Sequence, residues 1–523
     1  MALSVQARAR ETTHMHMVTS RSAVERLRAA LDAGDWALVS SVIEAGWTEL
    51  LHRAPVLLSS TLAAVPDEMV EREPRFRLAR DYVARMIEGR DPTAAYRARN
   101  AAAAPLGAVD RLAALTARIS VARTDGRLDE ARRLVAAAHA LLGEQPVDSH
   151  PELASPLPEM HYHWGLALEQ AGEFDSALVD HLEGFDWALS TGHRMMQVAS
   201  GGAIAYLHAL HGRIDTARRW LDRLPTSGPD EWWSPAMSTQ SRLAASLVRE
   251  AESGAGPDPL DGMTTGDILP HWAPYFFARA VAVGPGRPAR LLRGELDSFL
   301  SNVPEVQRRQ DVSSDYVALT RTILSVRVQE LGALDVEDRP SATAPLLRQL
   351  PAAMLAVRLA HAGRHRSAMQ LAAPLLDVDG SRPRVLVVAL VATALATPDP
   401  ARRSATLEEA AAVSVAHGYY TSLSALTPEL RAEIAGPLRE LGAEEAARRL
   451  LDSGGDAAAD HFAPLTRRER VVVEHAMAGE TTAEIAAALL VSVNTVKSQL
   501  RTAYRKLGVS SRAELRRLEP GPG

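Results

Sequence analysis

The sequence contains no cysteine, which excludes disulfides, thiolate metal sites and cysteine nucleophiles together and suits a reducing compartment. Aromatic residues make up only 5% of it. Ala and Leu prevail over Val and Ile, so the 46% hydrophobic content favours helices packed with small and straight-chain side chains rather than sheets. Long apolar runs are also missing. The longest, Val385 to Ala396, falls short of the roughly 17–25 residues that cross a hydrocarbon core, so it predicts a buried helix and no membrane contact. Met1 to Ser20 is polar and lacks the apolar centre of a signal peptide, which points to a cytoplasmic protein.

Lysine is scarcer still. Basic positions are otherwise Arg, and the only two lysines, Lys497 and Lys506, lie in one predicted helix near the C-terminus. The net charge of −6 is unevenly spread, because His461 to Gly523 carries ten Lys or Arg against six Asp or Glu. An acidic body with a small basic tail is the balance expected when only the tail approaches a polyanion.

Along the first 450 or so residues a short pattern recurs: an apolar-periodic helix, a Gly, an apolar or aromatic residue two positions on, and usually an Ala three further. It reads Gly126, Leu128, Ala131; Gly172, Phe174, Ala177; Gly212, Ile214, Ala217; and more loosely Gly34, Trp36, Val39 and Gly363, His365, Ala368. The Gly supplies the left-handed residue that ends one helix, and the small residue lets the next approach its partner closely. One such hairpin cannot bury its apolar face, so a row of them predicts a stacked solenoid of tetratricopeptide-like repeats over residues 21–452. Residues 1–20 and 520–523 read as disordered ends. The segment 453–461, which includes Ser-Gly-Gly-Asp-Ala-Ala-Ala-Asp, has no apolar periodicity and reads as a flexible linker.

Residues 462–519 carry the densest signals. Thr466 with Glu469, Thr481 with Glu484 and Ser511 with Glu514 have capping-box spacing, Ser492 offers a further N-cap, and Gly479 and Gly508 offer stops. Four short helices with such brief connections match a helix-turn-helix domain, whose second helix enters the major groove. On the third helix Val496, Leu500, Ala503 and Leu507 share one side at core spacing, leaving Asn494, Lys497, Ser498, Arg501 and Arg505 on the other.

The runs Leu-Thr-Arg-Arg-Glu, Glu-Ile-Ala, Val-Ser-Val-Asn-Thr-Val-Lys and Arg-Lys-Leu-Gly-Val-Ser-Ser-Arg-Ala-Glu resemble, in order and spacing, the LuxR-type DNA-binding domain. That resemblance implies that Lys497, Ser498 and Arg501 reach base edges of promoter DNA. It puts Thr481, Thr482, Asn494, Thr495, Gln499, Arg505 and Lys506 near the sugar-phosphate backbone, although the family often has His where this chain has Gln499. The chemistry agrees, since Lys and Arg donate to guanine and Ser suits either kind of base edge. Paired half-sites imply a homodimer.

Leu31 to Glu88 resembles the start of the helical-repeat sensor region of MalT-like regulators. Those usually carry an ATPase domain before the repeats. Here no Gly-x-x-x-x-Gly-Lys-Ser/Thr loop exists, because no Lys precedes Lys497. Neither a Gly-x-Ser-x-Gly elbow nor a His-Glu-x-x-His motif is present, so no enzyme and no cofactor is expected. What the resemblance leaves is a helical-repeat surface for a small-molecule effector or a protein partner. The alternative is an interaction scaffold merely tethered to DNA by its tail.

Trp232, Trp233, His271 and Trp272, with Tyr275, Phe276 and Phe277, form an aromatic concentration that could stack a ligand ring or pack a core around a long loop. The pairs His14 with His16, His161 with His163, and His361 with His365 lack a neighbouring Cys or Glu to complete a metal shell, and are expected on the surface or at caps. Glu408 with Glu409 and Glu444 with Glu445 read as solvated helix faces.

Overall fold

The computed structural model describes residues 22–72, 76, 79–80, 83, 107–144, 153–226, 231–251, 257–268, 271–284, 286–302, 311–327, 345–377, 382–452, 465, 467–477, 479–489, 491–507, 509 and 511–517. Among them regular structure is entirely helical. The expected disordered ends and the linker at 453–461 lie outside these residues. The chain divides into two compact units, Met1–Ala425 and Leu426–Gly523.

The first unit begins with α1 (Ala23–Asp32), α2 (Trp36–Arg53), α3 (Pro55–Ala64) and α4 (Asp67–Arg72). Local chemistry sets these limits. Ser22 and Glu25 form a reciprocal capping box, Asp35 caps α2, and Pro55 starts α3 where its missing N–H costs nothing. Next come α5 (Ala108–Thr124), α6 (Leu128–Glu144), α7 (Leu157–Gln170), α8 (Phe174–Ser190), α9 (Arg194–His211) and α10 (Ile214–Arg223). They are followed by α11 (Ser234–Met237), α12 (Thr239–Ala251), α13 (Thr265–Ile268), α14 (Trp272–Ala282), α15 (Arg287–Asn302) and α16 (Asp311–Arg327). The unit closes with α17 (Pro345–His361), α18 (His365–Leu376), α19 (Pro383–Ala396), α20 (Pro400–His417) and a 3-10 turn at Thr421–Ala425.

Gly34, Gly126, Gly172, Gly212 and Gly363, the residues of the recurring pattern, all have positive φ between 68 and 90°. Helices pack with their sequence neighbours in series: α5 with α6, α7 with α8, α8 with α9, α9 with α12, α14 with α16, and α17 with α18 and α19. A purely linear array would make only such contacts. Here α19 and α20 also return onto α9 and α10. The buried Arg384 of α19 donates from Nε to Leu210 O (3.1 Å) and from Nη2 to Ala209 O (3.0 Å), satisfying carbonyls at the end of α9. Gly212 makes room for this approach, because a Cβ there would stand 2.7 Å from the Arg384 backbone nitrogen. The apolar run at Val385 to Ala396 lies within α19, nearly all of it buried. No described helix is long and apolar enough to cross a membrane.

The aromatic concentration divides between separate packing groups. Trp233 is buried in the core that holds α1–α4, beside His52, and Trp232 Nε1 donates to Leu51 O at 3.2 Å. Trp272 and Phe276 instead pack on Phe299, Phe277 packs on Tyr316, and His271 is buried at the start of α14. Glu408, Glu409, Glu444 and Glu445 are exposed. His361 Nε2 lies 2.8 Å from the Ala425 carbonyl.

Imidazole–carboxylate pairs fill the interior of α7–α9. Glu159 accepts from His193 (2.9 Å) and Trp47 (2.9 Å), while Glu169 pairs with His181 (2.7 Å) and accepts from Gln240 (2.9 Å). Gly165 leaves the space that the His181 ring fills, since a Cβ there would meet it at 2.5 Å. Buried polar side chains are tolerated when hydrogen-bonded in this way.

Other histidines are held neutral. Burial, reinforced at His52 and His208 by nearby positive charge, lowers His52, His208 and His271 to about 4. Below pH 6.5 the unfolded chain therefore takes up protons that the folded chain refuses, so stability falls as pH drops from about 6.5 to about 4. For the buried His271 alone this amounts to about 2–3 kcal/mol. Among the described residues, His139, raised by its hydrogen bond to Asp180, and Glu250, raised by burial, act in the opposite sense. The three depressed imidazoles outweigh them. The urea midpoint of the full-length protein is expected to be lower at pH 5 than at pH 7.5, and His271→Gln should flatten that dependence. An equal or higher midpoint at pH 5 would contradict this account.

Candidate nucleic-acid interface

The second unit opens with a helical hairpin, α21 (Pro428–Glu440) and α22 (Glu444–Asp452), turned at Gly442 with φ 83°. This turn has the same construction as the pattern Gly residues, although Glu444 stands where the pattern has an apolar residue. Four short helices then follow: α23 (Arg467–Met477), α24 (Thr482–Ala488), α25 (Val493–Leu507) and α26 (Arg512–Arg517).

Their limits are chemical. Thr481 Oγ1 accepts from Glu484 N (3.3 Å) and Glu484 returns a carboxylate to Thr481 N (2.6 Å). Ser492 Oγ accepts from Thr495 N (3.1 Å), Ser511 Oγ accepts from Glu514 N (3.2 Å), and Gly479 has φ 95°. Thr466, partner of the remaining expected box, lies outside the described residues. Gly508 does too.

Val472, Val473, Ala476, Ile485, Ala486, Val496, Leu500, Ala503 and Leu515 form the small core beneath these helices. With Val496, Leu500 and Ala503 facing inward, α25 must turn its other side to solvent. Asn494, Lys497, Ser498, Arg501 and Arg505 are all exposed, and Thr495 and Gln499 are half-buried at the flanks. Thr482, at the first turn of α24, lines one open groove with Lys497, Arg501 and Arg505. Tyr504 and Arg512 line it as well, although sequence reasoning had singled out neither as a site residue. Tyr504 lies one position beyond the apolar stripe, at its edge, and Arg512 comes from a different helix, so helical periodicity on α25 pointed to neither.

Lys506 is placed differently from its neighbours. Its ammonium donates to Glu469 Oε2 at 2.7 Å, and Glu469 is 7% exposed. The pair ties the end of α25 to the start of α23. Loss of this charge-assisted bond at a buried carboxylate is costly, so Lys506→Ala is expected to loosen the module by about 1–2 kcal/mol. In hydrogen exchange of the full-length protein, protection over α23 and α25 should fall roughly tenfold. If Lys506→Ala instead weakens DNA binding with protection unchanged, Lys506 is a backbone contact, as its position in the motif implied.

Short polar and cationic side chains in one row, on a helix braced from behind by α24, can donate to base edges and phosphates along a groove. No curated protein and no solved structure matches the chain. Residues 463–518 match the family model described as bacterial regulatory proteins, luxR family. The chain therefore carries, over these residues, a LuxR-type helix-turn-helix domain, a non-catalytic regulatory fold.

Proposed function

We propose that the protein is a sequence-specific transcriptional regulator that acts in the cytoplasm as a homodimer on promoter DNA. The observation that carries this reading is the exposed row Lys497, Ser498 and Arg501 set against the buried Val496, Leu500 and Ala503. In this reading those three side chains read bases, while Thr481, Thr482, Asn494, Thr495, Gln499 and Arg505 hold the duplex in register. A single small domain buries little surface, so two copies on half-sites about one helical turn apart supply the affinity.

The helical-repeat region serves as the receiving part. An effector or partner that prefers one packing of the repeats shifts the population presented to DNA. Its serial helix contacts support this role, because a change at one hairpin is felt by the next. The test is selection of genomic fragments by the purified full-length protein at two salt concentrations. Discrete sites, lost steeply with salt, are expected. No enrichment of any fragment over random DNA, with cell extract present to supply an effector, would overturn the proposal.

A further inference from the structure

Among the described residues, one cluster of possible metal ligands brings together side chains from three helices. His139 of α6 and His161 of α7 converge on Asp180 of α8. His139 Nε2 lies 2.8 Å and His161 Nδ1 lies 2.9 Å from the same oxygen, Asp180 Oδ1. The three donor atoms all stand within 4.8 Å of one another. Asp180 is 2% exposed, yet its second oxygen, Oδ2, is buried with no hydrogen-bond partner. Leaving a carboxylate oxygen unpaired inside a protein is costly, and two imidazoles crowding onto the other oxygen do not relieve it.

We propose that His139, His161 and Asp180 form a binding site for a divalent first-row metal ion such as zinc. Two imidazole nitrogens and one carboxylate, without thiolate, are a ligand set that zinc accepts at about 2.0–2.2 Å from each atom. Ligands at that range stand roughly 3.3 Å apart around a tetrahedral ion. The observed 2.8 and 2.9 Å to Asp180 Oδ1 fall short of this by a few tenths of an ångström, and the two ring nitrogens lie within 4.8 Å of each other, so the rings must adjust to receive an ion. A carboxylate that turns both oxygens to the ion also gives Asp180 Oδ2 the partner it lacks, and a further position stays open to water or to a ligand.

The surroundings suit an ion. The indole of Trp164 packs edge-on against both rings, with centroids at 5.2 Å from His139 and 4.7 Å from His161, and is fixed by its own bond to Thr116 Oγ1 at 2.9 Å. This makes an apolar wall on one side. The His139 side chain is 44% exposed, which gives the ion an entry from solvent. His163, which alternates with His161 in the sequence, cannot join, because residues two apart on a helix are about 200° apart around its axis. An ion here would cross-link α6 to the α7–α8 hairpin.

The experiment is zinc binding to the full-length protein in competition with a chromophoric chelator, together with visible absorption after cobalt(II) substitution. Wild-type protein should bind one more equivalent of zinc than His139→Ala. It should also give a four-coordinate cobalt spectrum that the variant lacks, with affinity at this site reduced about 100-fold or more. His139 lies at the surface, so circular dichroism should show the variant fully folded. Asp180→Asn, which keeps the shape of the carboxylate, is a second variant with the same expected loss. Equal zinc stoichiometry and affinity in wild type and folded His139→Ala, or no zinc bound by the wild type, would overturn the assignment. DNA binding is measured separately, and neither outcome depends on it.

Discussion

Replacing Lys497 and Arg501 together by Ala is expected to lower affinity for a selected promoter site by about a thousandfold at constant salt, at roughly 2 kcal/mol for each lost base contact. Affinity for random DNA should fall far less. Both side chains project from the exposed face of α25, whose inward face is fixed by Val496, Leu500 and Ala503, so the fold should be unaffected. The single variants should each relax discrimination at particular base positions. Arg505→Ala and Thr482→Ala form the contrast. If they contact phosphate, binding weakens evenly across sequences, and for Arg505 the slope of log affinity against log salt shrinks by about one. Competitive binding to specific and scrambled duplexes, over a salt series, reads both effects. Equal losses on both duplexes for Lys497→Ala and Arg501→Ala would show that these residues only hold the backbone.

Arg384→Met is expected to destabilise the first unit by about 2–4 kcal/mol, far more than an exposed Arg would cost. The methionine keeps the length of the side chain but removes the donors to Ala209 and Leu210 and the stacking of the guanidinium on Tyr419, 4.7 Å from the ring centroid. The Leu210 carbonyl would then lose its bond from Arg384, and Ala209 O would keep only the turn bond from Gly212 N at 3.1 Å. The loss should be visible as a lower denaturant midpoint and as faster hydrogen exchange at the end of α9. Arg402→Met, on the exposed start of α20, should shift the midpoint by no more than about 0.5 kcal/mol. Gly212→Ala should act on the same junction, because it sets a Cβ against the Arg384 backbone at a φ of 90°. Equal effects of Arg384→Met and Arg402→Met would show that the return of α19 onto α9 contributes nothing to stability.

Much of the DNA-binding module was written in short-range chemistry. Thr481 with Glu484, Ser492 with Thr495 and Ser511 with Glu514 are partners within one helical turn, so spacing alone located three of the four helices and their caps. The face of α25 was legible for the same reason: a period of 3.6 residues sorts side chains without reference to anything beyond the helix. The positive φ at Gly126, Gly172 and Gly212 was also legible, since a glycine between an apolar-periodic helix and the next marks a left-handed stop.

What the sequence could not order was anything that joins distant residues. The bond from the Lys506 ammonium to Glu469, 37 residues earlier, left no trace in local spacing. The aromatic concentration around Trp232 and Trp272 looked like one surface in the linear order, and folding sends its members into different packing groups. His161, expected at the surface beside His163, is buried and finds its partners on two other helices. Helical periodicity is a local property and was readable from the chain itself. The meeting of His139, His161 and Asp180, and of Arg384 with the end of α9, depends on how whole helices stack, and a pair of ring nitrogens 22 residues apart leaves no local trace.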